Sequence, residues 1–321
     1  MTNKTSLVEI INLHPKIDDI KKVIFESLSL NPKKFPAWLL YDENGSKLFD
    51  EICKQPEYIL TRSEIDLLEK HAKSINKLIG YGTIIEFGAG SSKKIRSILN
   101  QDENYSYVAI DISIDHLEKS LKNLKASFPR TNMLGICCDH NKLIELPIHP
   151  YIYSNKIGFF PGSSIGNYEH NEAINLLKNF HRLLNGGPLI IGIDHPKAIE
   201  KMESAYNDKK GVSKNFAINL LRRFNKEINS NFIIENYNYQ AIWEEKYSRI
   251  RMEIKSIKDQ IINIDNSFWE ITKDEEIITE YSVKYSHQNI MELAKESGWL
   301  ISDYWEDELN KFSIILMKSQ H

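Results

Sequence analysis

Ile84-Ile85-Glu86-Phe87-Gly88-Ala89-Gly90-Ser91-Ser92-Lys93-Lys94 is a short apolar run that ends at an acid, turns on two glycines and continues into a segment with helical character. A second apolar run, Tyr107-Val108-Ala109-Ile110-Asp111, follows it and again ends in an acid. A nucleotide-type cofactor needs this pairing at the lip of a parallel sheet. The glycine turn lets backbone N–H groups come close to a ligand, and the acid closing the second strand accepts from ribose hydroxyls. A dinucleotide fold would carry G-x-G-x-x-G, and here Gly88-Ala89-Gly90 runs on into Ser91-Ser92-Lys93 with no third glycine.

Outward from this turn the chain alternates. Helices are expected over 63–78, 93–99, 114–128 and 169–184, and strands over 83–87, 107–111, 132–138, 156–160 and 188–194. Strands separated by single helices imply a parallel sheet. Asn185-Gly186-Gly187-Pro188 stops the last of these helices. After His195-Pro196 the rhythm changes to helical segments over 199–207 and 213–228. Alternating β-branched and aromatic residues then dominate 237–243, 246–259 and 261–269. A helix over 288–297 and strands over 299–305 and 312–317 close the chain. E-x-G-x-G ending the first strand resembles class I S-adenosylmethionine-dependent methyltransferases, whose sheets finish with such an antiparallel pair. The expected architecture is therefore α/β: a Rossmann-like parallel sheet with an inserted α+β substrate-binding lobe. The cofactor domain would be 61–196 plus 287–321, and the lobe 1–60 plus 197–286.

Composition narrows the partners. The 321 residues suffice for one large domain or two modest ones, and the net charge of −3 gives no bulk attraction for nucleic acid or an anionic membrane. No apolar run reaches the roughly 20 residues that cross a bilayer. Met1-Thr2-Asn3-Lys4-Thr5 lacks the apolar centre of a signal peptide. Cys53, Cys137 and Cys138 cannot all pair with one another and none has metal-ligand spacing, so a cytoplasmic protein with free thiols and no metal is expected. Asp139-His140 offers two adjacent side chains without further ligands at suitable spacing. The partner expected is a small molecule and the protein a monomer.

Several phrases reach beyond the fold. Tyr41-Asp42-Glu43-Asn44-Gly45-Ser46-Lys47-Leu48-Phe49-Asp50 is followed by Pro56-Glu57-Tyr58-Ile59-Leu60-Thr61-Arg62-Ser63-Glu64. Then come Phe160-Pro161-Gly162-Ser163-Ser164-Ile165-Gly166-Asn167, Ala205-Tyr206-Asn207-Asp208-Lys209-Lys210-Gly211-Val212-Ser213 and Thr279-Glu280-Tyr281-Ser282-Val283-Lys284-Tyr285. Together and in this order, over essentially the full length, they resemble the histidine Nα-methyltransferases of ergothioneine biosynthesis. The resemblance implies S-adenosyl-L-methionine as cofactor, held by Gly88 and its turn neighbours Glu86, Gly90 and Ser91 together with Tyr58 and Lys94. It gives Asp111 the ribose and Asp139 the adenine amine. It gives Asn167 and Tyr206 the substrate carboxylate, with Tyr58 between the two ligands, and it sets Tyr41 against the amine. Glu280 and Ser282 would grip the imidazole beside Met252, and Gly162 and Ser164 would line the same cavity. One departure is Asn207, where an acid is expected; the neighbouring Asp208 would take over its role.

The chemistry agrees with these residue types. Methyl transfer from a sulfonium is an in-line displacement, so the protein has to position the nucleophile and exclude water. The amine must lose its proton, which water or the Tyr41 hydroxyl could carry out. Residues i and i+2 of a strand share a face, so Glu280 and Ser282 can serve the two nitrogens of one ring. Two alternatives remain at this level: another amino acid as acceptor, or a cofactor-binding protein without catalysis.

Overall fold

The computed structural model describes residues 8–99 and 105–320. The Met1–Thr5 stretch read above for a leader lies outside the described residues. The chain begins with β1 (Glu9–Asn12), α1 (Ile17–Leu28), β2 (Lys33–Lys34), α2 (Glu43–Ile52) and α3 (Leu60–Ile79). The alternating section comprises β3 (Thr83–Phe87), β4 (Ser106–Asp111), α4 (Ile114–Ser127), β5 (Asn132–Cys137), β6 (Lys156–Phe160), α5 (His170–Leu184) and β7 (Leu189–Asp194). Next come α6 (Ile199–Tyr206), α7 (Val212–Ile228), β8 (Tyr237–Glu244), β9 (Arg249–Ser256), β10 (Gln260–Ile264), β11 (Ser267–Ile271) and β12 (Glu276–Val283). The chain closes with α8 (His287–Glu296), β13 (Trp299–Asp307) and β14 (Phe312–Ser319).

Eight strands form one sheet in the order β1-β5-β4-β3-β6-β7-β14-β13, parallel except where β14 pairs antiparallel with both β7 and β13. Every residue of β3, β4 and β7 is buried, as expected of strands covered on both faces. The chain leaves β3 for β4 on one side and places β6 on the other, so the crevice at the C-terminal ends of β3 and β4 is the topological switch point. A second sheet, β2-β12-β9-β8, and the β10-β11 hairpin make up the inserted region.

Two features differ from the sequence reading. The helix expected over 93–99 is a single 3-10 turn, Lys94–Ser97. Ile95 and Ile98 are both fully buried, and their spacing of three suits the tighter helix, which stacks them on one side. The first sixty residues do not all go with the insertion, because Glu9–Asn12 pairs in parallel with Leu134–Cys137 at the edge of the large sheet.

Candidate active site

A cavity of about 840 Å3 opens over the ends of β3 and β4, between the large sheet and the N-terminal segments. Gly88 and Gly90 sit on its wall with φ of 73° and 50°, and a Cβ on either would project into open space. Here the structure corrects the expected use of the turn. The N–H groups of Gly88 and Ala89 both donate to the Ile110 carbonyl, and that of Gly90 donates to Asp111 Oδ2 at 2.7 Å. The turn therefore serves a ligand by the room it leaves, and its backbone donors pin it to the end of β4. Asp111 Oδ1 accepts from Ser113 N–H at 3.0 Å, so each carboxylate oxygen keeps a lone pair for hydroxyls in the cavity. Asp139, after β5, lines the same space with Oδ1 turned to Asn141. Those features fit a nucleoside-bearing cofactor.

Below the turn, Glu86 is buried and accepts from the Tyr107 hydroxyl. Burial pushes its carboxyl up to about 8, outweighing that hydrogen bond. Lys94 reaches across to Glu64 of α3 at 2.8 Å, and both Glu64 oxygens accept from the Gly162 N–H. Glu64 thus ties the glycine turn to the loop after β6. Gly192 of β7 makes room for it, since a Cβ there would lie 2.1 Å from Glu64 Oε1.

A smaller pocket adjoins this cavity. Tyr41, Phe49, Tyr58, Gly162, Ser164, Asn167 and Glu280 line both spaces, so ligands in the two would touch the same walls. Tyr41 is fixed by the chain on either side of it. It ends the 3-10 turn Ala37–Leu40, whose Leu39 carbonyl accepts from the buried Arg223, and it precedes Asp42, which caps α2 by accepting from Gly45 N–H. Its ring packs edge-on against Phe49 and Phe216. Burial and the nearby Glu280 carboxylate hold the phenol well above its ordinary range, so Tyr41 acts as a neutral hydroxyl.

The far wall comes from β12 and α6. A β-bulge between Ile278 and Glu280 resets the pairing so that Glu280 faces Met252 across the strands. Burial pushes the Glu280 carboxyl up to about 8 against the pull of Lys284 and Tyr41, and its Oε1 accepts from Asn167 Nδ2 at 2.9 Å. Ser282 Oγ lies 2.7 Å from the Tyr206 hydroxyl, and the Tyr206 ring packs edge-on against Tyr58.

All the sequence-selected residues line one or both spaces: Tyr41, Tyr58, Glu86, Gly88, Gly90, Ser91, Lys94, Asp111, Asp139, Gly162, Ser164, Asn167, Tyr206, Met252, Glu280 and Ser282. Asp208 lines neither space; its oxygens accept from the N–H groups of Val212 and Ser213 and start α7. Asn207 exchanges hydrogen bonds with the N–H and C=O of Ala241 on β8, which needs a donor and an acceptor and so suits an amide. Sequence reasoning missed Glu64, the Asp50–His116 pair on the cavity wall, and His140, whose ring burial holds neutral. It also missed Lys284, although the period-two alternation that selected Glu280 and Ser282 points to it next. His195, His287 and Glu306 could bring ligand atoms within 4.8 Å of one another, and this group lies outside both spaces.

A sheet of this strand order, with an acid-closed glycine turn at its switch point and a smaller pocket beside it, defines a class I methyltransferase. Residues 20–319 match the family described as histidine-specific methyltransferase, SAM-dependent, and the chain belongs to that family. It is 26% identical over 318 residues to the histidine N-alpha-methyltransferase of Mycolicibacterium smegmatis, covering 97% of this chain and 98% of that protein. It is 28% identical to ergothioneine biosynthesis protein 1 of Schizosaccharomyces pombe, covering 91% of this chain but only 40% of that longer protein. An L-tryptophan methyltransferase of Psilocybe serbica is 24% identical over 94% of this chain and 93% of its own length.

Proposed function

We propose that this protein transfers three methyl groups in succession from S-adenosyl-L-methionine to the α-amine of L-histidine, giving hercynine, the first step of ergothioneine biosynthesis. The observation that carries the reading is the pairing of Glu280 and Ser282 on one face of β12, in the wall of the smaller pocket. An ionised Glu280 accepts the imidazole N–H while the Ser282 hydroxyl serves the other ring nitrogen. Asn167 and Tyr206 take the carboxylate, and Met252 packs beside the ring.

On the cofactor side, Asp111 receives the ribose hydroxyls and Asp139 the adenine amine. Glu86, Gly88, Gly90, Ser91, Lys94 and Tyr58 shape the remainder. When bound, the cofactor supplies a methyl group already activated on a sulfonium. The chain's task is to aim the amine lone pair, keep water away and accept the proton. Tyr41 stands at the junction with its hydroxyl available to the amine, and its ring suits the fixed cation of the product. We assign the cofactor domain to 61–196 and 287–321 with Glu9–Asn12 added to its sheet. The lobe is the rest of 1–60 and 197–286. We place the protein in the cytoplasm as a monomer; its cysteines are free, and no described helix is long and apolar enough to cross a membrane.

Tryptophan is the second reading, favoured by the fungal relative whose name carries that substrate. Mass spectrometry of reactions with S-adenosylmethionine and each free amino acid decides between them. Histidine heavier by three methyl groups is the expected product. Preferential methylation of tryptophan would leave the cofactor side standing and remove the pocket assignment.

A further inference from the structure

Lys284 follows Glu280 and Ser282 on the same face of the chain and is buried to 1% exposure. Its ammonium has three protons and three partners: Asp194 Oδ2 at 2.7 Å, Ser282 Oγ at 2.8 Å and the Tyr206 hydroxyl at 2.9 Å. Asp194, at the end of β7, also holds Lys197 at 2.6 Å. Glu280 faces the group from β12, with Tyr41 donating to it. Burial alone would neutralise Lys284, yet Asp194 and Tyr206 outweigh it and raise its pKa to about 12, so it is a cation throughout the working range.

An ammonium can only donate. Lys284 therefore occupies a lone pair on Ser282 Oγ and another on the Tyr206 oxygen, which are themselves 2.7 Å apart. Each hydroxyl keeps its proton and one lone pair, and the ammonium charge favours the proton turned away from it, towards the pocket. Between themselves the pair can use one of those protons, and at least one O–H remains for the pocket. Once a ligand offers two acceptors, both can turn outward. Without that charge, either hydroxyl rotates and accepts as readily as it donates.

We infer that Lys284 is a positioning residue that makes the Ser282 and Tyr206 hydroxyls donors, so that the pocket selects a carboxylate and an unprotonated ring nitrogen and rejects imidazolium. This rests on the histidine reading above and adds the origin of its selectivity for the ring's protonation state. Imidazolium carries two N–H groups and a charge; Glu280 can take one N–H, while the other would have to bond to a hydroxyl already held by the Lys284 ammonium, setting two cations against each other in a buried site.

The test is Lys284→Met, which keeps the length and apolar stem while leaving Asp194 paired with Lys197. Steady-state rates with histidine are measured from pH 5.5 to 8.5 for both proteins, and S-adenosylhomocysteine binding is measured by calorimetry. Above pH 7 the variant should raise the KM for histidine roughly tenfold, with kcat and S-adenosylhomocysteine affinity changed far less. Below the ordinary imidazole pKa of roughly 6.5 that gap should close, because the freed Ser282 can accept the second N–H. A Tyr206→Phe background should shrink the effect of Lys284→Met. A gap constant with pH, or an equal loss of S-adenosylhomocysteine affinity, would show Lys284 to be structural only and overturn the inference. Wild-type protein that leaves histidine unmethylated would overturn the substrate reading itself, an outcome distinct from an unaltered pH profile. If Lys284→Met does not fold, Lys284→Gln, whose amide both donates and accepts, takes its place with the same expected closing of the gap.

Discussion

Glu280 carries its proton at neutral pH in the empty pocket, because burial raises its pKa to about 8. Binding neutral imidazole through an ionised carboxylate requires that proton to leave. The ratio of wild-type to Glu280→Gln kcat/KM for histidine should therefore rise with pH through about 8 and level off roughly one unit above it; a ratio flat from pH 6 to 9 would remove Glu280 from imidazole recognition. The same shift acts on stability. A carboxyl whose folded pKa lies above its unfolded value binds extra protons in the folded state, so stability falls as pH climbs from the unfolded value through about 8. Glu280→Gln lacks this dependence. In ligand-free calorimetry its stability relative to wild type should rise from pH 5 to 8, by at most about 1.4 kcal/mol per pH unit. Asp111 shows what could be read at this scale and what could not. An acid closing the second apolar run is a local pattern, visible in Tyr107–Asp111. That the N–H groups of Gly88, Ala89 and Gly90 bond to Ile110 and Asp111 is a three-dimensional fact with no sequence signal. Asp111→Asn would set an amide N–H against one of the two backbone donors, Gly90 or Ser113. S-adenosylhomocysteine should bind at least roughly tenfold more weakly to it in calorimetry, and unchanged binding would move the ribose contact elsewhere.

β12 shows how an element turns alternation into a site. Its pairing with β9 runs Ile278 to Glu253 and then Glu280 to Met252, which leaves Thr279 as the extra residue of a bulge. Thr279 is anchored by its hydroxyl, which donates to the Met252 carbonyl at 3.1 Å. Plain alternation correctly put Glu280 and Ser282 on one face, but a bulge leaves no mark in a run of β-branched residues, so which face was not legible. Deleting Thr279 makes this testable. Without the extra residue the ladder becomes regular, with Ile278 still opposite Glu253 and Glu280 still opposite Met252, so Glu280 and Ser282 should keep their side of the sheet. Histidine turnover should fall by less than roughly tenfold while S-adenosylhomocysteine binding stays within a few-fold; a loss on the order of 100-fold in turnover alone would show that the bulge itself aims Glu280. Equal loss of both would mean that the deletion unfolds the lobe. The 3-10 turn Lys94–Ser97 was misread for a related reason: two isoleucines three apart satisfy an α-helix and a tighter turn equally well.

At the scale of the whole molecule, the alternation from β3 to β7 made the parallel sheet legible, because strands buried on both faces are continuous apolar runs. The edge strand β1 was not, since Glu9–Asn12 is four residues long and gains its identity only from Leu134–Cys137 beside it. Nor was the way the two sheets meet. Lys34 and Arg249, from the smaller sheet, both approach Glu169, the residue that caps α5, at 3.1 and 3.7 Å. Asn167 joins Glu280 across the same boundary. Exposed ion pairs contribute little individually, so the stronger link between the halves is the shared wall of the two ligand spaces. Tyr41, Phe49, Tyr58, Asn167 and Glu280 belong to both, and a ligand that fixes them for one space removes an ordering cost from the other. Histidine and S-adenosylhomocysteine should therefore bind with positive coupling, each tightening the other by the same factor, at least roughly 5-fold. Calorimetric titration of each ligand with and without saturating amounts of the other measures both arms of the cycle. Equal affinities in the two arms would mean that the shared residues are already rigid in the free protein, and that the wall between the spaces transmits nothing.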